Sequence, residues 1–356
     1  MEKAYLVLGN GMVFEGQAIG AVGESIGELV FTTGMVGYME TLTDPSYAGQ
    51  IIMQTFPLIG NYGVIPEDFE GDCFARGYVV RELAEQPSNF RSQYELDKFL
   101  KDRGVCGICG VDTRQITRII REEGVMNAGI FYEPPADLEE IQSYSCAGAV
   151  AQVSHREKRI FPAQEQEKFT VALIDYGAKQ NIIRSLCAKG CKVISLPFDV
   201  TAEEVLALGI DGVMLSNGPG DPKENVHAIA QIKKLLGKVP IFGICLGHQL
   251  TALALGGDTV KLKYGHRGAN QPVKRLSDSR CFISSQNHGY AVVSESMEGK
   301  GMLSYVNAND FSCEGMDYPE LNCFTVQFHP EAAGGPRDTG FLFDRFTAMM
   351  GGKGNA

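Results

Sequence analysis

Between Phe169 and Gly257 the chain alternates four short apolar runs with four helix-patterned segments, and that rhythm leaves few folds open. FTVALIDYG precedes KQNIIRSLCAKG, CKVISLPF precedes TAEEVLALG, GVMLSNGPG precedes NVHAIAQIKKLLG, and VPIFGIC precedes LGHQLTALALGG. The apolar runs are strand-length and bounded by turn residues, so they read as buried strands. Four consecutive strand–helix units predict a parallel sheet with helices on both faces. Thr201, with Glu204 three residues on, is a capping-box start for the second helix. Beyond Gly257 the pattern becomes β-rich and ends in CFTVQFHPE, followed by a last helix near Gly340–Met350. Doubly wound sheets bind ligands beyond the carboxyl ends of their strands, which is where chemistry should be sought.

At 356 residues the chain exceeds one ordinary core, so a second domain is expected. The first half supplies it, with β-rich runs (AYLVL, ELVFTT, QIIMQTF, ARGYVVREL) and helical patterns at Tyr94–Arg103 and Thr113–Glu123. Asp112 caps the second of these and Gly124 stops it. Strands first and helices later suggest an α+β or layered β domain. A poorly patterned stretch, about Glu133 to Lys168, carries a short helix at Ala136–Ser143 and then a surface segment. The expected division is a first domain at 1–145, a linker at 146–168 and a second domain at 169–352.

The formal charge of −11, with no compensating basic block, argues against nucleic-acid phosphate binding. No apolar run approaches the ~20 residues of a membrane helix. The N-terminus shows no signal-peptide pattern, so a cytoplasmic protein is expected. Ten scattered cysteines then read as reduced thiols. Cys106 and Cys109 have knuckle spacing, but their only companions, Cys187 and Cys191, fall in the other domain. The sequence therefore predicts no metal, and buried small hydrophobes instead.

Gly243-Ile-Cys245-Leu-Gly247 follows a strand and opens a helix, the arrangement of a nucleophile elbow with cysteine in place of serine. The glycines permit a sharp turn, the helix N-terminus favours a thiolate, and the Leu246 amide faces any oxyanion formed there. Alone, the motif fits a buried structural cysteine equally well. Phe328-His329-Pro330-Glu331 closes the last strand, where residues i and i+2 share a face, so Glu331 can orient His329. Ser216-Asn217-Gly218-Pro219-Gly220-Asp221 ends the preceding strand, and the Gly218 amide is a candidate second oxyanion donor. By itself that segment is an ordinary turn.

GICLGHQ, with NGPGDP upstream and FHPE downstream, resembles the triad-type (class I) glutamine amidotransferases over roughly Phe169–Met350. The run at Gly27–Gly63, with SNFR, VDTRQITRIIREEG, GHRGANQPV and SSQNHGYAV, is similar to the small subunits of carbamoyl phosphate synthetase. The resemblance implies a layered β/β/α N-terminal domain ahead of the doubly wound, mostly parallel sheet. It implies that Cys245 attacks the carboxamide of glutamine, that His329 moves the protons, and that Glu331 holds His329. It places glutamine contacts on Ser46, Gly218, Gly220, Leu246, Gln249, Asn287, Gly289 and Tyr290. Gln249 also follows from its position one helical turn after Cys245. Ser46 would put the pocket at the domain interface; without the resemblance, Asp44-Pro45-Ser46 is a plain turn.

The chain has no phosphate-loop motif, and ammonia left in water at neutral pH would be protonated. The resemblance therefore implies a partner, the large subunit, which would hold the ATP and Mg and turn bicarbonate and tunnelled ammonia into carbamoyl phosphate. It implies a heterodimer, open to higher assembly, serving arginine and pyrimidine synthesis, with no cofactor on this chain. Two other classes of function remain: a triad cysteine hydrolase of different specificity, and a non-catalytic docking subunit.

Overall fold

The computed structural model describes residues 2–352. The chain divides into two compact units, Met1–Ala147 and Gly148–Ala356.

In the first unit the β-rich runs roll into a closed seven-stranded barrel. Around the barrel the strands are Lys3–Leu8, Val13–Gly20, Cys106–Cys109, Gly77–Val79, Gln50–Gln54, Ser25–Thr32 and Met126–Phe131. Closure removes the sheet edges that would otherwise template aggregation. The layering expected from the sequence thus takes the form of a rolled sheet with helices packed outside it. Leu96, Phe99 and Leu100 of the helix Leu96–Asp102 are fully buried in a cluster with Ile19, Tyr78 and Val105. The helix Thr113–Glu123 begins where Asp112 Oδ1 accepts the Gln115 amide (3.0 Å) and stops at Gly124, whose φ of 102° suits glycine. Cys106 and Cys109 lie on one short strand, three residues apart, so their side chains point to opposite faces of the sheet. Strand geometry denies this pair a knuckle, in keeping with the reading of them as packing residues.

The second unit is built on one ten-stranded sheet. Its parallel part runs Cys191–Pro197, Phe169–Asp175, Gly212–Leu215, Ile241–Ile244 and Cys323–Val326, in that spatial order. Beyond Cys323–Val326 the strands Cys313–Tyr318, Met302–Asn307, Thr259–Arg275 and Cys281–Val292 continue the sheet antiparallel. Arg159–Phe161, inside the segment read as linker, adds an antiparallel strand at the opposite edge.

Alternation along the strands divides the apolar residues between two cores. Ala172 and Ile174 join Val205, Ile232 and Leu250 from the helices Ala202–Ala207, Val226–Leu235 and Leu246–Ala254. Val171 and Leu173 join Ile182, Leu186, Phe343 and Phe346 from Gln180–Ala188 and Phe341–Met350. Burial on both sheet faces explains why these strands read as continuous apolar runs. At the centre of the second core, Phe242 stacks on Phe324 (ring centroids 4.3 Å) and meets Phe343 edge-on.

Candidate functional site

Cys245 sits between the strand Ile241–Ile244 and the helix Leu246–Ala254 with φ 53° and ψ −101°. A non-glycine residue in that region is strained and persists only where its surroundings over-determine it. Here they do. The Cys245 amide donates to Val326 O (2.8 Å), and the Cys245 carbonyl accepts from the Gln249 amide (3.2 Å). A Cβ on Gly243 would lie 2.9 Å from Thr325 Cγ2, and one on Gly247 would lie 2.5 Å from Leu215 O. The two motif glycines are therefore demanded by close approach, as the sequence suggested. The Cys245 thiol is 3.7 Å from Asn287 O, and the residue is 2% exposed.

The next strand over, Cys323–Val326, delivers the histidine. The His329 amide donates to Ser285 O (2.9 Å), pinning it to the strand Cys281–Val292. Its Nδ1 is 2.6 Å from Glu331 Oε1, and both side chains are buried. An ionised carboxylate only accepts, so Nδ1 carries the proton and Nε2 is left to accept. His329 Nε2 is buried with no hydrogen-bond partner among the described residues. The pair meets by a different route from the one expected. Pro330 and Glu331 already lie in a turn, so the carboxylate folds back onto the ring instead of sharing a pleat with it.

Burial pushes the Glu331 carboxyl up, but the facing charges of His329 and Lys179 outweigh it and hold the group down at about 2. Lys179 Nζ lies 3.5 Å from Glu331 Oε1, and Asn181 Nδ2 donates to the Glu331 carbonyl. Sequence reasoning missed Lys179 and Asn181. The signal was present, because DYGAKQN stands at the carboxyl end of the first parallel strand, where strand-end residues converge. Asp175 Oδ1 accepts the Gly177 (3.0 Å) and Ala178 (2.7 Å) amides, and Asn217 Oδ1 accepts the Lys179 amide (3.0 Å). These bonds tie Lys179 to the Ser216–Asp221 turn.

Within that turn Ser216 Oγ accepts from the Tyr176 amide and donates to Asn217 O. Ser216 O accepts the Gly247 amide (3.0 Å), linking turn to elbow. Gly218 is packed so closely that a Cβ would lie 2.3 Å from Tyr176 O and 2.8 Å from Leu246 Cδ2. Gly220 has φ 85°, the left-handed region. Leu246 begins a helix whose N-terminus carries no side-chain cap, and of its first amides that of Gly247 is taken by Ser216 O.

Gln249, one turn along, donates Nε2 to Tyr290 O (2.9 Å) and Gln327 Oε1 (2.9 Å). Asn287, Gly289 and Tyr290 share the strand Cys281–Val292, and two of them touch the elbow helix directly: Asn287 through Cys245 and Tyr290 through Gln249. Cys245, His329, Glu331, Gly218, Leu246, Gln249, Asn287 and Tyr290 thus gather at one end of the sheet. Ser46 belongs to the first unit, in the turn Pro45–Tyr47, where Asp44 Oδ1 accepts its amide (2.9 Å).

Comparison with known proteins matches both units. The family model described as "Carbamoyl-phosphate synthase small chain, CPSase domain" covers residues 6–130, and "Glutamine amidotransferase class-I" covers 172–349. The carbamoyl phosphate synthase small chain of Listeria monocytogenes serotype 4b is 50% identical over 99% of this chain and 98% of its own length. That of Clostridium perfringens is 50% identical over 97% and 98%, respectively. The pyrimidine-specific small chain of Bacillus subtilis is 49% identical over 98% and 96%.

Proposed function

The chain belongs to the carbamoyl phosphate synthase small chains, and from that premise we propose that it hydrolyses glutamine for a synthetase carried by a separate large chain. The observation that carries this reading is the strained Cys245 elbow, its amide held on Val326 O of the strand that leads to His329, whose Nδ1 is committed to Glu331 and whose Nε2 is left to take a proton.

The Cys245 sulfur attacks the carboxamide carbon of glutamine while His329 Nε2 takes up the thiol proton. The oxygen becomes an oxyanion facing the Leu246 amide and the Gly218 turn, donors fixed in place before the reaction. As the carbon–nitrogen bond breaks, the imidazolium returns its proton to the nitrogen, which leaves as ammonia. A γ-glutamyl thioester remains on Cys245. Water then attacks it with His329 as base, releasing glutamate and the thiol. Glu331 stabilises the imidazolium in both halves, and Lys179 and Asn181 hold Glu331.

The glutamine contacts are Gly218, Gly220, Leu246, Gln249, Asn287, Gly289 and Tyr290. Hydrolysis needs no cofactor on this chain; ATP and Mg belong to the large chain, which uses the ammonia. The complex is a heterodimer or a closed multimer of it, its product feeding pyrimidine and arginine synthesis in the cytoplasm.

The test is co-purification with the large chain, then synthesis from glutamine and from supplied ammonia. Wild type uses both, whereas Cys245→Ser uses ammonia only, because the synthetase sites lie elsewhere. Glutamine-dependent synthesis by Cys245→Ser would favour a docking subunit without chemistry. Absence of glutaminase activity in the wild-type complex would refute the reading.

A further inference from the structure

A second buried cluster lies on the antiparallel side of the sheet, and the proposed chemistry does not use it. His266 and His288 face each other across the ladder between Thr259–Arg275 and Cys281–Val292, their rings edge-to-face at 5.0 Å. Glu314, on Cys313–Tyr318, completes a trio whose ligand atoms all lie within 4.8 Å of one another. Glu314 is fully buried, His288 is 5% exposed, and the His266 side chain is 11% exposed.

The hydrogen bonds fix how these groups are presented. His288 Nδ1 is 2.7 Å from Tyr290 O, a carbonyl that can only accept, so Nδ1 bears the proton and a neutral ring has its lone pair at Nε2. Ser284 Oγ donates to Gln271 O, so it must accept from the Gln286 amide, which puts Gln286 Nε2 at Ser284. Gln286 Oε1 then faces His288 Nε2 at 3.2 Å, with Glu314 Oε1 at 4.0 Å. A lone pair aimed at two oxygens is repulsive unless a proton or a cation stands among them. Glu314 Oε2 and His266 Nδ1 are also buried with no hydrogen-bond partner among the described residues.

We propose that His266 Nδ1, His288 Nε2, the Glu314 carboxylate and Gln286 Oε1 form a binding site for a divalent transition cation of the zinc class. Two nitrogen and two oxygen donors suit that class. The edges already present, 3.4 Å between His266 Nδ1 and Glu314 and 4.0 Å between His288 Nε2 and Glu314, approach the ~3.3 Å of a tetrahedron with ~2.0 Å arms. The outer shell is also in place. His266 Nε2 binds Asp310 Oδ2 (2.8 Å) and His288 Nδ1 binds Tyr290 O, the pattern that orients metal-bound imidazoles. The cysteine spacing behind the expectation of no metal bears on none of these residues, which only strand register brings together.

A bound ion cross-links three strands beside Asn287, Gly289 and Tyr290, so it would stiffen the stretch that lines the elbow.

The experiment is equilibrium binding of zinc to the purified chain after chelation, with cobalt(II) as the spectroscopic probe. One equivalent is expected in wild type and in Cys245→Ala, with a tetrahedral cobalt spectrum lacking a thiolate charge-transfer band and a raised melting temperature. Glu314→Gln and His266→Asn, checked for folding by circular dichroism, should lose about tenfold or more in affinity. No stoichiometric binding by wild type overturns the site, as does a thiolate band or loss of binding in Cys245→Ala. Full affinity retained in both trio variants overturns it too.

Discussion

Replacing Gly218 by alanine tests whether the Ser216–Asp221 turn supplies an oxyanion donor or merely connects a strand to a helix. The added Cβ would meet Tyr176 O at 2.3 Å and Leu246 Cδ2 at 2.8 Å. Restoring ordinary contacts needs a retreat of roughly 1 Å, and the turn must move, because Tyr176 O is backbone and its chain is anchored through Ser216. Overpacking of this kind costs about 1–3 kcal/mol of stability. The catalytic effect should be larger. A donor displaced by that distance is lost, so kcat for glutamine hydrolysis should fall about 10²–10³-fold, or ~3–4 kcal/mol of transition-state stabilisation. KM should change little, because the donor is needed most where charge develops. Gly209→Ala is the control, since its Cβ meets nothing within 4 Å and its cost is backbone strain at φ 64°. The assay is steady-state glutamate release beside a urea melt of each variant. A Gly218→Ala protein that is destabilised yet keeps kcat within about fivefold of wild type would refute the donor assignment.

Cys245→Ser should abolish glutamine hydrolysis while the complex keeps ammonia-dependent synthesis, read from carbamoyl phosphate formed with each nitrogen source. Glu331, held at about 2 against an unfolded value near ~4.3, contributes stability that is full above the unfolded pKa and lost as pH falls toward 2. The stability gap between wild type and Glu331→Gln should therefore narrow as pH drops through that window, and a gap constant from pH 6 to 2.5, measured by urea melts, would contradict the pairing. Phe242→Ala, which empties the stack with Phe324 and Phe343, should cost about 3–5 kcal/mol in the same melts with the elbow sequence untouched.

What could be read from the sequence follows the range of the interactions. The four strand–helix units were legible because burial on both faces writes itself into contiguous residues such as Val171–Ile174. The elbow was legible because glycines at 243 and 247 are local consequences of close packing at Thr325 and Leu215. Closure of the first unit's barrel was not, because the pairing of Ser25–Thr32 with Met126–Phe131 leaves no trace in either segment. Arg159–Phe161 is a three-residue edge strand, too short to show a period. Lys179 and Asn181 were passed over because a lysine and an asparagine at a helix start look solvated until Glu331 is placed beside them. His266, His288 and Glu314 come from three strands, and only register brings them together.

The order of strands in the second unit also sets a clock. Cys323–Val326 is the last strand among the described residues, yet it occupies the middle of the sheet, between Ile241–Ile244 and Cys313–Tyr318. During synthesis Cys245 emerges about 80 residues before His329, an interval of roughly 4–16 s at about 5–20 residues per second. Through that interval the growing chain displays a thiol with no base, and the gap that the final strand must fill stays open. On the proposed mechanism, completion of the sheet and arming of the nucleophile are therefore a single event, and a ribosome-bound fragment ending before Phe328 should not release ammonia from glutamine.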